Sequence, residues 1–155
     1  MALKRAIVLA IVVLASTAGA VLATHTSTGL STLATWRGSM DRADLSALAR
    51  ELGAMHAMDR SDLFVVRASV APGGTTDWHG HTGPSIVVMT EGALEVSEAT
   101  PSGGCTVATY TKGEAFFHTE RAHTFVNRTA TTAEFLVAYF VPGGSPVSHP
   151  PAPAC

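Results

Sequence analysis

From Asp62 to Val141 the chain alternates between short apolar runs and Gly-rich punctuation. The segment DLFVVRASV is rich in β-branched and aromatic residues and is stopped by Pro72-Gly73-Gly74, the composition of a strand ending in a turn. SIVVMT is a nearly continuous apolar run, which predicts a strand buried on both faces. Beyond a tight turn expected at Glu91-Gly92, Leu94 and Val96 alternate with Glu95 and Ser97, the period of a half-buried strand. A turn over residues 100–104 leads into CTVATY, and Lys112-Gly113 turns into EAFFH. HTFVNR and EFLVAYFV follow before Pro142-Gly143-Gly144 closes the series. Short strands broken by turns at regular intervals predict an all-β sandwich or barrel. No intervening stretch is long enough for a βαβ crossover, which argues against a parallel α/β sheet.

Before Asp62 the pattern differs. Residues 29–40 read as one strand, with Leu30, Leu33 and Trp36 as its buried side chains. Asp41 to Leu52 is the single helical candidate. Asp41 or Asp44 can cap its start, Leu45, Leu48 and Leu52 fall at helical spacing, and Gly53 suits its end. The first residues, MALKRAIVLAIVVLASTAGAVLA, place Lys4 and Arg5 ahead of an apolar run and two small-residue cleavage sites, the layout of a secretory signal peptide. An uncleaved anchor is the alternative, since Ala6 to Ala23 carries no charge. The expected organisation is a signal peptide over 1–23, a strand and short helix over 24–61, a barrel over 62–141 and a Pro-rich tail over 142–155. The protein is therefore expected to be secreted or periplasmic, with no stable membrane span after cleavage.

At 155 residues the chain suits one domain. Of 10 Lys and Arg residues, removal of Lys4 and Arg5 leaves 8 against 12 acidic ones, a net charge of −4. No basic run remains, so nucleic acid and anionic membrane are not the expected partners. Asn127-Arg128-Thr129 fits an N-glycosylation sequon. The two cysteines, Cys105 and Cys155, read as a disulfide in an exported protein. A loop of about 50 residues gives such a bridge roughly 4 kcal/mol of chain-entropy stabilisation. The alternative is a loose tail ending in a free thiol.

Seven histidines occur, and four of them, His79, His81, His118 and His123, fall in the β region. His79 and His81 stand at i and i+2 around a glycine. In extended backbone their side chains leave the same face from Cα atoms about 6.6 Å apart. Two imidazoles so placed can each bring a nitrogen to about 2.1 Å from one ion. A third ligand must come from another strand, and His123 is placed to supply it. His118 could do likewise.

These residues carry a resemblance. Gly74-x4-His79-x-His81 followed by SIVVMTEG resembles the first motif of the cupins, and KGEAFFHTERAHTFVN resembles the second, with Gly113, His123 and Asn127 in order. The likeness covers about Asp62 to Val141. It is closest to small secreted cupins with a WHxHxGP pattern, which Trp78, Gly83 and Pro84 match, with Cys105 and Cys155 in the corresponding places. It implies a cupin-like double-stranded β-helix, or jelly-roll, barrel preceded by the one short helix. It also implies one divalent metal ion held by His79, His81 and His123. Two departures stand out. The glutamate that cupins place in the first motif falls here on Ser85, and the usual Pro-x-Gly before the last histidine is His118-Thr119-Glu120. His118 or Glu120 could serve as a fourth ligand or as a general acid or base.

Iron, manganese, nickel, copper and zinc all accept imidazole, so the donor set does not choose among them. The expected function is that of an exported metal-binding cupin acting on a small molecule, by resemblance an oxygenase or isomerase. The alternative is a non-catalytic cupin that binds a small ligand outside the cell. Cupins often dimerise, so a homodimer is a possible assembly. The disulfide is checked separately: peptide maps with and without reductant are expected to differ by one Cys105–Cys155 cross-linked pair. Identical maps, with both thiols alkylated in the folded protein, would refute it.

Overall fold

The computed structural model describes residues 27–41 and 60–149. Ten β-strands fill them, with no helix among the described residues. They are β1 (Thr28–Asp41), β2 (Arg60–Thr75), β3 (Gly80–His81), β4 (Ser85–Glu91), β5 (Ala93–Ala99), β6 (Cys105–Thr111), β7 (Ala115–His118), β8 (His123–Val126), β9 (Ala133–Pro142) and β10 (Ser148–His149). The large sheet runs β6-β5-β8-β2-β9-β4-β7, with β1 added along β2, and β10 pairs with β3. Every pairing is antiparallel. The expected helix lies outside the described residues except for Asp41, which closes β1. The proposed signal peptide and Cys155 also lie outside them.

Register explains the core. Val87 of β4 stands opposite Phe116 of β7 and Val137 of β9, Val96 opposite Phe125, and Val70 opposite Ala133. All seven are buried, because residues paired across antiparallel strands share a face of the sheet. Leu94, Met89 and Phe135 complete the same cluster. Phe125 meets Phe116 and Phe135 edge to face, at centroid separations of 5.7 and 5.5 Å, the geometry that the ring quadrupole favours. The barrel interior is thus packed at one end. Its other end carries the polar groups described below.

Two expectations about burial fail. SIVVMT is not buried on both faces: Ile86 and Val88 are 37% and 39% exposed, while Ser85, Val87 and Met89 point inward. An antiparallel barrel wall has one inner face, and no described element covers the outer one. Residues 29–40 do form a strand, but Leu33 and Trp36 are 48% and 57% exposed. Only Leu30 of the three packs partly against the core, because β1 extends the sheet along β2 and turns Leu30, Thr32 and Thr35 to the cavity.

Two local constraints fix the motifs. A Cβ on Gly83 would stand 1.9 Å from the carbonyl oxygen of Phe140, so only glycine lets the chain pass β9 before β4 begins. Asn127, fully buried, donates from Nδ2 to the carbonyls of Val70 and Thr131, both at 2.8 Å. Its Oδ1 accepts from the Thr129 amide and hydroxyl at 2.9 and 2.7 Å. That amide nitrogen is fully used inside the fold, so the sequon at Asn127 is not a glycosylation site of the folded chain.

Asp62 joins β1 and β2 to the turn after β9. Arg37 Nε donates to Oδ2 at 2.9 Å, Ser39 Oγ to Oδ1 at 2.8 Å and the Gly144 amide to Oδ2 at 3.2 Å. The Ser39 hydroxyl, the Gly144 amide and Arg37 together outweigh burial and lower the Asp62 carboxyl from 3.8 to about 2. A carboxylate with a depressed folded value contributes stability above its unfolded value and loses it as pH falls through the folded one. Stability is therefore expected to decline between about pH 4 and pH 2, and Asp62→Asn should flatten that part of the curve. An unchanged acid limb in denaturant titrations of the variant would refute the assignment.

Candidate metal centre

The two motif segments meet through the backbone. His79 donates its amide to the His123 carbonyl at 2.9 Å, and His123 returns the bond to the His79 carbonyl at 2.8 Å. This bridge sets the three imidazoles in a triangle. Ring centroids are 4.5 Å apart for His79–His123, 4.8 Å for His81–His123 and 4.9 Å for His79–His81. One ligand nitrogen from each lies within 4.8 Å of the others. His81 and His123 are buried.

The orientation of each ring is set from behind. His79 Nδ1 is 2.8 Å from the Asp77 carbonyl, His123 Nδ1 is 2.8 Å from the Arg121 carbonyl, and His81 Nδ1 is 3.4 Å from Ser148 Oγ. A carbonyl can only accept, so Nδ1 carries the proton in His79 and His123, and Nε2 offers its lone pair. Asp77 holds its carbonyl in place from a left-handed backbone, φ 57°, a conformation that aspartate tolerates better than most residues. Its side chain accepts from the Trp78 amide at 2.8 Å, and Thr75 Oγ1 accepts from its own amide at 2.9 Å. Ser148 arrives on β10, whose pairing with β3 brings the tail across His81.

Burial first, then the adjacent His79 charge, push His123 far below the ordinary imidazole range, so its ring stays neutral. The Nε2 atoms of His81 and His123 stand 3.2 Å apart. Two nitrogens each about 2.1 Å from one ion are separated by about 3.0–3.4 Å at octahedral to tetrahedral angles. The donor set fits a divalent transition metal: three imidazoles, neutral at His123, with carbonyls behind two of the rings.

His118 and Glu120 part company. Glu120 is exposed, whereas His118 is buried and lines the cavity. Its ring lies flat on His123, with centroids 4.2 Å apart and planes within 6°. It stands beside the triangle rather than in it. Its Nδ1 is 2.9 Å from Glu98 Oε2. Burial raises the Glu98 carboxyl, but hydrogen bonds from His118 and Thr119 and the Arg121 charge leave it lowered overall. Ser85, in the place of the absent glutamate, is fully buried. Sequence reasoning missed Asp77, Glu98 and Ser148, the groups behind the rings. The only forward signal was the Asp-Trp-His order, since Glu98 and Ser148 reach the site through strand pairing alone.

The cavity beside the imidazoles holds about 160 Å³. Its walls include Phe64, Val66, Val87, Phe135, Val137 and Tyr139, with Thr32, Thr35, Thr76, Ser85, His118 and Ser148 among the polar groups that interrupt them. Burial pushes the Tyr139 phenol upward, which keeps it protonated.

No family model matches the chain, and no curated protein does. Solved structures do. A variant of oxalate decarboxylase from Bacillus subtilis aligns with a TM-score of 0.51 at 14% identity, over 72% of this chain and 31% of that one. Peruvianin-I, a cysteine peptidase from Thevetia peruviana latex, aligns with a TM-score of 0.50 at 23% identity, over 56% of this chain and 54% of that one. A cupin domain from Bordetella pertussis tohama is 28% identical over 50% of this chain and 80% of its own, with a TM-score of 0.42. The chain spans about half of peruvianin-I and under a third of the oxalate decarboxylase. The antiparallel, nearly closed β-barrel, with the two motif segments bridged at one end, shares the fold of the oxalate decarboxylase and of peruvianin-I.

Proposed function

We propose that the protein is an exported cupin that binds one divalent transition metal through His79, His81 and His123 and acts on a small molecule in the barrel. The observation that carries this reading is the convergence of three imidazoles on one point, within 4.8 Å of one another, with Nδ1 of each engaged from behind. Structural histidines seldom combine these features; metal ligands regularly do.

A bound metal in such a site acts as a Lewis acid or activates water or dioxygen, which is the chemistry of an oxygenase or isomerase. The chain's own contribution is to hold neutral rings, to keep the cavity apolar and to present His118 at its wall. The non-catalytic reading, a ligand-binding cupin, draws on Ser85: the position that carries an anionic ligand in the cupin motif carries a neutral hydroxyl here. The names of the matching structures do not decide between them, because fold does not fix chemistry. Export rests on the leader over residues 1–23 and agrees with Cys105 not being a free thiol. The partner is a small molecule, and a homodimer is compatible with the exposed apolar residues of the outer wall, Ile86, Val88 and Phe117.

Tag-free protein is expected to carry close to one equivalent of transition metal by elemental analysis, and His81→Ala to lower that at least tenfold. Metal-free protein that shows no thermal shift with any of the five divalent ions would reject the reading. If metal is present, oxygen uptake or product formation lost in His123→Ala distinguishes the enzyme from the binding protein.

A further inference from the structure

Two buried polar atoms in the cavity wall have no partner: Ser85 Oγ and His118 Nε2. They are neighbours by construction. Ser85 of β4 stands directly opposite His118 of β7 in the antiparallel register, so both side chains leave the same face with Cβ atoms about 5 Å apart. Both residues line the cavity, and they are 0% and 1% exposed. An unsatisfied buried polar atom is costly, and two side by side in a cavity wall call for an explanation.

From this pair we infer that Ser85 and His118 recognise a hydroxyl group on an uncharged, one-ring ligand, a phenol or cyclic enol. This deepens the proposed function, since it rests on the barrel taking a small molecule beside the three imidazoles. The orientation of the ring follows from Glu98. Its carboxylate accepts from His118 Nδ1 at 2.9 Å, and is held there by Thr119 Oγ1 at 3.3 Å and by Arg121 at 3.7 Å. With Nδ1 engaged by the carboxylate, Nε2 is the ring nitrogen left to face the cavity. A ligand hydroxyl both donates and accepts, so it can pair with Nε2 and with Ser85 Oγ at once. A carboxylate can accept from Ser85 Oγ but has no proton to give, and Glu98 stands behind the ring with its own negative charge. An ether lacks the donor.

Size follows from the cavity. Its volume is about 160 Å³, and a dry apolar cavity of about 150 Å³ takes one benzene ring. The surrounding Val66, Val87, Phe135 and Val137 give such a ring apolar contact on its faces. His118 and Ser85 are thus specificity residues, and Glu98 a positioning residue that acts through His118.

The test is calorimetric titration of phenol, toluene and benzoate into zinc-loaded and chelator-treated protein, with zinc content measured in the same samples. Toluene has the shape of phenol without the hydroxyl. Phenol is expected to bind at least about tenfold more tightly than toluene, with benzoate weakest. That preference should fall to near parity in His118→Phe and shrink in Ser85→Ala, which changes one buried oxygen and serves as the milder variant. Toluene binding as tightly as phenol, benzoate binding best, no phenol binding, or a preference untouched by both substitutions would each overturn the inference. Protein that takes up no zinc yet prefers phenol would sink the metal reading and leave this one standing. Zinc-loaded protein without the preference would do the reverse.

Discussion

The reciprocal backbone pair between His79 and His123 is the constraint on which the site depends. The two residues are 44 positions apart in sequence, and each gives its amide to the other's carbonyl. That exchange puts the Cα atoms opposite one another on adjoining extended segments, so both side chains must leave the same face. His81 then falls on that face because it lies two residues beyond His79. A one-residue slip in either segment would turn the rings to opposite sides of the wall. The slip is resisted beside the bridge. Thr76 and Phe125 are locked by a backbone bond at 3.0 Å and by a second from the Phe125 amide to Thr76 Oγ1 at 2.9 Å, and Asn127 ties the end of β8 to Val70.

Bringing imidazoles together in a barrel end is costly unless they stay uncharged and their polar atoms are satisfied. The structure meets both conditions from the main chain. Carbonyls of Asp77 and Arg121 take the outward protons of two rings, and a hydroxyl from β10 meets the third. The Arg121 carbonyl raises the proton affinity of His123, but burial outweighs it and keeps the ring uncharged. The result is a set of inward nitrogens with lone pairs already aimed, which is what a cation requires and what protonation would undo.

Much of this was legible in the sequence, because the periods involved are short. The strands announce themselves through β-branched runs cut by Gly turns, and HxH in an extended segment has only one geometry. What was not legible depends on contacts between distant segments. Trp36 and Leu33 look like core residues from their chemistry, yet both are exposed on β1 while Leu30, Thr32 and Thr35 line the cavity, and composition does not reveal which face of an added strand turns inward. Ile86 and Val88 mislead for a related reason: an apolar run reads as doubly buried, but nothing described packs on that wall. The choice between His118 and Glu120 also lay out of reach. They stand two positions apart, and where β7 ends decides which one still points inward.

Ser85 and Glu98 are best understood together. The cupin motif would place a carboxylate on the inner face of β4, directly among the imidazoles, and this chain has a hydroxyl there. A carboxylate nevertheless stands close by, on β5, one ring farther out. Glu98 pairs in register with His123 across β5 and β8, and its side chain engages His118, whose ring lies flat on His123. The negative charge has therefore moved from the coordination position to a place behind a histidine that faces the cavity. Such a shift leaves room in the wall, removes a charge that would repel anionic ligands at the centre, and holds His118 in one orientation with Nε2 toward the cavity. A carboxylate beside the three rings would have tightened their hold on an ion. Set behind His118, it shapes instead what the cavity accepts.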